Sequence, residues 1–428
     1  MTGAKDIYVY AGWKYLSKDT YMGCLQSEIL RGKEVFSFEY DPGWLESGQA
    51  QKLDPDLSLY QGKQFLSADS KTNFGMFLDS SPDRWGRMLM RRKEAIMARQ
   101  EDRPANRLSE TDYLLGVHDD QRMGGLRFKS DKKGPYLGQG GGLPCPPWTS
   151  LRELEEISLR LEKEDNYQNP QYSKWLNMLL APGSSLGGAR PKAGVKDRSH
   201  RLWIAKFPSG NDHSDIGGWE MVARELAIRS GIHMAEAMVR RFSSTHHTFL
   251  SKRFDRTSSG KRIHFASAMT LLGHTDGKDY ADGKDYADGI SYLELVEFIQ
   301  ANGKEVRKDL EQLWKRIVFN ICISNVDDHL RNHGFLLTKD GWVLSPAYDI
   351  NPDEDGTGLK LNISEDDNSL SPELAMSVHP YFRLRESRAV EIMRDIKSVV
   401  KDWRKVATTI GISKSEQDMK SRAFQNLY

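Results

Sequence analysis

The sequence predicts an α+β fold with an α-rich C-terminal lobe, and three observations lead to this prediction. Short apolar and aromatic runs, separated by glycine and charged residues, fill the segment from Ile7 to Tyr40, which is a pattern typical of strands. From Ser291 onward, apolar residues recur mainly at helical spacing. The chain has 428 residues, whereas single hydrophobic cores stop growing at about 250–300 residues. We therefore expect more than one subdomain.

Residues 1–133 are predicted to form an N-terminal α+β subdomain, in which the segment from Phe74 to Arg99 is largely helical. The tract GPYLGQGGGLPCPPW, residues 134–148, is the strongest break in composition, because its prolines and glycines suit neither helix nor strand interiors. Its GQGGG run is weak as a phosphate loop, since a proline-rich stretch follows it instead of a helix N-terminus. We predict a linker at 134–148.

Residues 149–256 are predicted to form a small mixed lobe. Thr149 or Ser150 can cap a helix whose apolar residues recur at spacings of three and four. Two strand-like segments, RLWIAKFPS and HTFLSKRFDR, lie on either side of a helix from about Ile216 to Ser230. Residues 257–428 are predicted to be mainly helical, interrupted by the short strand candidates GFLLT and GWVLS.

The composition is that of an ordinary folded protein, with 38% hydrophobic and 28% charged residues. The formal net charge is +1, so the chain as a whole has no field that would attract nucleic acid or an anionic membrane. Three widely spaced cysteines without a CxxC pair predict neither a disulfide framework nor a zinc site. The N-terminus does not resemble a signal peptide, and no run of about 18 apolar residues occurs, so we expect a cytoplasmic protein.

One internal repeat is present, because GKDYAD occurs twice in tandem, at residues 277–282 and 283–288. Its aspartates could in principle bind calcium, but the spacing lacks an EF-hand loop and its terminal glutamate. We favour a duplicated loop that faces solvent.

The segment NVDDHLRNHGF, residues 325–335, predicts phosphoryl-transfer chemistry. Asp327 precedes Asn332 by five positions, which is the spacing of a kinase catalytic loop in which the aspartate receives a proton and the asparagine holds a metal ion. Asp349 follows an apolar strand candidate, where a second magnesium-binding carboxylate would lie. The usual H-R-D order is absent, and an aspartate pair alone would more often belong to a turn.

Upstream residues supply candidate contacts to nucleotide phosphates. Lys206 lies within an apolar strand candidate, and Glu220, fourteen residues later on the next helix, could pair with it as in kinases. Without the other motifs, a snorkelling lysine and a solvated glutamate would be the preferred interpretation of this pair. Gly187 and Gly188 would allow backbone N–H groups to approach phosphate oxygens, and Lys192 adds a nearby cation, although a glycine pair alone is more often an ordinary turn.

Together these motifs resemble the HipA family of bacterial type II toxin–antitoxin serine/threonine kinases. The resemblance rests on GGARPKA, WIAKFPS, SKRFDR, NVDDHLRNHGF and LSPAYDINP, which follow the family's order over roughly residues 180 to 355. The N-terminal segments FSFEYDPGWL and FLDSSPDRWGR also resemble the family, so nearly the whole chain is covered.

The resemblance implies a bilobal protein-kinase-like fold that uses ATP and Mg²⁺, which would bind between the lobes. It implies these roles: Asp327 as catalytic base, Asn332 and Asp349 as metal ligands, Lys206 as a phosphate contact, His329 as a nucleotide neighbour, Arg253 and Phe254 as backbone framing of the adenine, and Ser185, or the adjacent Ser184, as an inhibitory autophosphorylation site. It further implies a protein substrate, such as an aminoacyl-tRNA synthetase, and a DNA-binding antitoxin of the HipB type, with DNA reached only through that antitoxin. The alternatives are a kinase of the same fold that acts on a lipid or small molecule, and a catalytically weak binding module.

Overall fold

The computed structural model describes residues 4–68, 70–138, 145–163, 176, 178–179, 190–275 and 290–427. The chain divides into two compact units. The first unit comprises Met1–Gly210 and Lys252–Thr275, and the second comprises Asn211–Ser251 and Asp276–Tyr428. Gly187, Gly188, Ser184, Ser185 and both copies of the tandem repeat lie outside the described residues.

Twelve strands and thirteen helices of the described residues carry labels below. The strands are β1 (Lys5–Ala11), β2 (Thr20–Leu30), β3 (Lys33–Tyr40), β4 (Lys63–Phe65), β5 (Leu126–Lys129), β6 (Lys192–Lys196), β7 (Leu202–Lys206), β8 (Ala237–Arg240), β9 (Thr248–Lys252), β10 (Phe265–Ser267), β11 (Gly334–Thr338) and β12 (Gly341–Leu344). The helices are α1 (Pro42–Glu46), α2 (Gly75–Leu78), α3 (Arg84–Gln100), α4 (Glu110–Leu115), α5 (Leu151–Lys163), α6 (Ile216–Arg229), α7 (Ala268–Leu271), α8 (Tyr292–Asn302), α9 (Val306–Ile323), α10 (Pro372–Val378), α11 (Glu386–Val400), α12 (Trp403–Ile410) and α13 (Lys414–Met419).

The first unit contains an antiparallel sheet of five strands in the order β4-β3-β2-β1-β5. Side chains alternate across it as a strand requires: Ile7 and Val9 of β1 are buried, whereas Tyr8 lies on the opposite, partly exposed face. The hairpin of β6 and β7 also belongs to this unit, with Val195 opposite Trp203. The predicted α+β class of the N-terminal part is confirmed.

The second unit is mainly helical and is built around α9, most of whose residues are buried. The Trp314 indole of α9 donates a hydrogen bond to the Ala375 carbonyl at 3.1 Å, which ties α9 to α10. The hairpin of β11 and β12 pairs Phe335 with Leu344. The helices and strands predicted after residue 149 are confirmed, with α6 ending one residue earlier than expected.

The division into two units does not follow the predicted domain boundaries at 133, 148 and 256, because residues 211–251 belong to the same compact unit as residues 276–428. Those boundaries stay a prediction. Among the described residues, no helix combines the length and the apolar character that crossing a membrane requires.

Candidate functional site

The candidate site is built on the C-terminal end of α9. Ser324 ends this helix in the left-handed conformation, with a φ of 50°, which turns the chain sharply into the loop that follows. Asn325 holds that loop from two sides: its Nδ2 donates to Asn320 Oδ1 at 3.0 Å, and its Oδ1 accepts from the Asn351 amide at 3.1 Å. The loop and the segment after β12 are thereby fixed to each other.

Asp328 is buried and fully engaged in hydrogen bonds. Its Oδ2 accepts from the Tyr292 hydroxyl at 2.5 Å and from Asn320 Nδ2 at 2.7 Å, and it bonds His333 Nε2 at 2.9 Å. Burial acts to raise the pKa of Asp328, but His333 and these hydrogen bonds outweigh it and hold the pKa below its ordinary value. Asp328 therefore supports the loop, and His333 is one of its structural partners.

The neighbouring Asp327 has the opposite environment. Its side chain is exposed, and no described residue donates a hydrogen bond to its carboxylate. Desolvation raises the pKa of Asp327 and the Asp349 carboxylate raises it further, whereas His329 and Lys360 act to lower it. Asp327 and Asp349 are thus near enough to repel each other, and a bound cation would relieve that repulsion.

Asn332 lies in the same loop as Asp327 and has a buried side-chain oxygen. Its Nδ2 donates to the Asp327 carbonyl at 2.9 Å, which directs the amide, while its Oδ1 is buried and has no hydrogen-bond partner among the described residues. The Asn351 Oδ1 and the His329 Nδ1 are buried without such a partner as well. Buried polar atoms of this kind are costly unless a ligand satisfies them.

Asp349 takes a backbone conformation that is uncommon for a residue with a side chain, with a φ of 57°. The flanking residues hold it there, because the Tyr348 hydroxyl donates to the Arg331 carbonyl at 2.7 Å and the Asn351 amide is bound to Asn325. Strained residues of this type concentrate at functional sites.

The oxygens of Asn332 and Asp349 fit Mg²⁺, which takes one or two protein carboxylates and otherwise retains waters or phosphate oxygens. Among the described residues there is no group of three His, Cys, Asp or Glu side chains arranged as a metal site. The predicted ligand pair, an amide and one carboxylate, is smaller than such a group.

The predicted nucleotide contacts upstream of residue 211 lie in the first unit. Lys206 ends β7, is partly buried, and is in register with Lys192 of β6. The Lys192 ammonium is buried and pairs with Asp83 Oδ2 at 2.7 Å, so its charge is already met by a carboxylate. The loop that holds Gly187, Gly188 and Ser185 lies outside the described residues.

Arg253 and Phe254 also belong to the first unit. The Arg253 guanidinium is buried and donates to Asp255 Oδ1 at 2.8 Å and to the Gln121 carbonyl at 2.6 Å, so its side chain anchors the segment that follows β9. The Phe254 ring packs against Phe265 at 5.9 Å between centroids. A role of this segment through its backbone stays a prediction, as does the role of Glu220, which is buried on α6 in the second unit.

Several residues of the site were missed by sequence reasoning, namely Tyr292, Asn320, Asn325, Asn351 and Lys360. Tyr292 lies 36 positions before Asp328, and no spacing rule connects the two. Asn320 and Asn325 carry a weak signal, since buried amides at the end of an apolar helix need hydrogen-bond partners.

Comparisons with known proteins identify the family and the fold. The model of the family described as HipA-like C-terminal domain matches residues 184–403, more than half of the chain. A chain of the Shewanella oneidensis MR-1 toxin–antitoxin complex of HipA, HipB and its operator DNA superposes with a TM-score of 0.68 at 17% sequence identity, covering 98% of this chain and 95% of that chain.

A Helicobacter pylori proinflammatory kinase, CtkA, is more distant, with a TM-score of 0.35 and 13% identity over 55% of this chain and 92% of that chain. No curated protein matches the sequence. The Shewanella structure confirms the predicted fold over nearly the full length, and the family model covers the loop and both candidate metal ligands. On this evidence the chain belongs to the HipA family.

Proposed function

We propose that this chain is a HipA-type serine/threonine kinase that transfers the γ-phosphate of ATP to a protein hydroxyl with the help of Mg²⁺. The observation that carries the proposal is the contrast between two neighbouring aspartates. Asp328 is buried and bonded to three donors, whereas Asp327 is exposed and takes no side-chain hydrogen bond from the described residues. A catalytic base must be open to its substrate and rigidly held, and this loop provides both.

Asp327 would accept the proton that the attacking hydroxyl loses as its oxygen bonds to the γ-phosphorus and the bridging oxygen leaves with ADP. Asn332 Oδ1 and the Asp349 carboxylate would hold Mg²⁺, which when bound neutralises the charge that develops on the phosphate oxygens. The hydrogen bond from Asn332 Nδ2 to the Asp327 carbonyl keeps the metal ligand and the base in fixed relation.

The finer assignments are part of the same proposal. Lys206 would contact the phosphates with Glu220 as its partner, and Ser185 would be the autophosphorylated serine. The substrate would be a protein, such as an aminoacyl-tRNA synthetase, and the partner an antitoxin of the HipB type. The Shewanella complex, which contains HipA, HipB and operator DNA, supports such a partner, with DNA reached through the antitoxin.

The test is transfer of labelled phosphate from ATP and Mg²⁺, by phosphatase-treated protein, to itself and to a bacterial lysate. We expect Asp327→Asn to reduce labelling by at least about a hundredfold, the lower bound for removing a general base. Asp395→Asn is the matched control. Asp395 is an exposed residue of α11, and its substitution removes one negative charge, as Asp327→Asn does.

Each result separates the proposal from its alternatives. Labelling of protein bands that is lost in Asp327→Asn and kept in Asp395→Asn supports a protein kinase. Label that enters only lipids or small molecules would show that the protein is a kinase of the same fold with a different class of acceptor. Equal labelling by wild type and Asp327→Asn, or none by wild type, would overturn the proposed mechanism.

A further inference from the structure

A cationic pocket lies in the first unit, and its cavity volume is about 430 Å³. Six of its fourteen lining residues are lysine or arginine and one is aspartate. Asp327, Asn332 and Asp349 do not line it and belong to the second unit. Arg253 lines it, but its guanidinium is committed to Asp255 and to backbone carbonyls.

Two turns form the rim of this pocket, and each is closed by its own hydrogen bonds. In the first turn Asp197 Oδ1 accepts from the amides of Ser199 at 2.8 Å and Arg201 at 2.9 Å. In the second the Thr257 amide donates to the Lys261 carbonyl at 2.8 Å, and the Lys261 amide donates to Thr257 Oγ1 at 3.0 Å. The rim is therefore preformed, which lowers the entropy cost of binding a ligand.

The inner wall carries more positive than negative charge. The buried Asp255 carboxylate serves both Arg253 and Arg256, each at 2.5 Å. The buried Asp119 carboxylate likewise serves Arg262, at 3.1 Å, as well as Arg127, at 2.5 Å. Arg127 also pairs with Asp19, so three carboxylates serve these four guanidinium groups, and an excess of one positive charge remains.

The pKa of Arg262, which lines this wall, is affected by the neighbouring positive charges. Burial lowers the pKa of Arg262, and the nearby Arg127 and Arg253 lower it further, while Asp119 and Asp255 act in the opposite direction. An anion in the pocket would offset the repulsion among these arginines.

The rim supplies cationic donors that are still available. Arg201 is 43% exposed at its side chain and uses Nε to bind Asp197 Oδ2 at 3.0 Å, which leaves its terminal nitrogens without a partner among the described residues. The Lys196 ammonium is 28% exposed and forms an ion pair with Asp120 Oδ2 at 3.6 Å, a distance too long for a hydrogen bond, so its N–H donors can still bind a ligand. The exposed Ser258 and Ser259 add hydroxyl donors.

We propose that this pocket binds a small ligand that carries phosphate groups, with Lys196 and Arg201 as its direct cationic contacts. Guanidinium and ammonium groups beside serine hydroxyls are the donor set that phosphate oxygens prefer. The volume fits a small molecule and lies near the lower end of the range for ligand pockets. The site would be separate from the phosphoryl-transfer residues and does not depend on their proposed function.

The test is calorimetric titration of the full chain with inorganic pyrophosphate in magnesium-free buffer. We expect wild type to bind, and Lys196→Ala combined with Arg201→Ala to bind about tenfold more weakly or worse, because two charge-assisted contacts are lost. The matched control is Lys52→Ala combined with Lys63→Ala, since both residues are exposed in the same unit and the change of net charge is equal. The control should bind like wild type.

A second pair of variants tests the pocket without removing any cation. Ser258→Asp places a carboxylate on the rim and should weaken pyrophosphate binding by charge repulsion. Ser258→Asn introduces a side chain of the same shape as aspartate without the charge, and it should not weaken binding. Inorganic phosphate and ADP are titrated under the same conditions into wild type and into Lys196→Ala/Arg201→Ala. Because ADP can also bind the proposed active site, only the affinity that the double variant loses identifies the source of phosphate that the pocket prefers. Absence of binding to wild type, or equal affinities in Ser258→Asp, Lys196→Ala/Arg201→Ala and wild type, would overturn the proposal.

Discussion

Two adjacent aspartates, Asp327 and Asp328, have different environments and therefore different roles. Asp328 is shielded from solvent and binds three side chains, so its carboxylate is part of the core of the second unit. Asp327 stays exposed, yet desolvation and Asp349 raise its pKa. The buried residue fixes the loop, and the exposed one remains available for chemistry.

We expect Asp328→Ala to lower the free energy of unfolding by about 3–5 kcal/mol, because three buried donors lose their acceptor. Asp327→Ala should change stability by no more than about 0.5 kcal/mol, as is usual for exposed sites. Urea unfolding followed by tryptophan fluorescence would measure both. Equal midpoints for the two variants would contradict the assignment of Asp328 as the structural partner.

Asp255 predicts a dependence of stability on pH in the first unit. Burial raises its pKa, but Arg253 and Arg256 outweigh burial and bring the pKa to about 2. Since the unfolded value is about 3.9, the ionised carboxylate contributes stability that is fully present above that value and is lost as pH falls toward 2.

The measurement is urea unfolding of wild type and Asp255→Asn between about pH 2 and 7. We expect wild type to be the more stable at neutral pH and the difference to narrow below about pH 4. A difference that stays constant across this range would show that the charge of Asp255 is not what stabilises the unit.

At the scale of the element, α6 depends on close backbone contact at its first turn. Asp215 caps the helix by accepting from the Gly218 amide at 3.0 Å, and it also binds His247 through the amide at 2.8 Å and the ring Nδ1 at 2.5 Å. A Cβ at Gly217 would lie 2.3 Å from the His247 carbonyl oxygen, a clash that no side-chain rotation relieves.

We therefore expect Gly217→Ala to destabilise the protein by about 1–3 kcal/mol, the usual cost of overpacking. Because Glu220 lies one turn further along α6, the shift should also reduce phosphate transfer. Gly134→Ala is the control, since its nearest contact would be an ordinary 3.4 Å. Thermal unfolding and the labelling assay should agree; a fully stable, active Gly217→Ala would contradict the close packing.

Periodicity predicted the elements but not their partners. The bounds of α5, α6, β7 and β11 follow from local apolar spacing, which a single sequence contains. The pairing of Lys192 with Asp83 joins residues 109 positions apart, so no local pattern in the sequence predicts it. The left-handed conformation of Asp349 likewise depends on tertiary contacts, and the neighbouring sequence does not predict it.

At the scale of the whole molecule, the net charge of +1 means that recognition of anions must be local. The structure concentrates charge accordingly. Among the described residues, the buried side-chain oxygens of Asn332 and Asn351 have no hydrogen-bond partner in the second unit, and the terminal nitrogens of Arg201 have none in the first. The two proposed sites thus differ in sign, one suited to a metal ion with its phosphates and the other to phosphates directly.

Stabilisation of the folded protein by a bound ligand can show which residues of the proposed active site are needed for nucleotide binding and which only for phosphate transfer. A non-hydrolysable ATP analogue with Mg²⁺, at about a hundred times its Kd, should stabilise wild type by about 2.7 kcal/mol. Asp327→Asn should keep most of this rise, because a catalytic base is not needed for nucleotide binding. Asn332→Ala and Asp349→Asn should lose most of the rise, as should wild type with EDTA.

Thermal unfolding with and without the analogue measures this directly, and Asp395→Asn again provides the control for the loss of one carboxylate. If Asp327→Asn abolished the rise, the aspartate would be a binding residue instead of the base, and its loss of phosphate transfer would need that explanation. If Asn332→Ala kept the full rise, the buried amide oxygen would not be a metal ligand, and its lack of a partner would reflect packing of the loop alone.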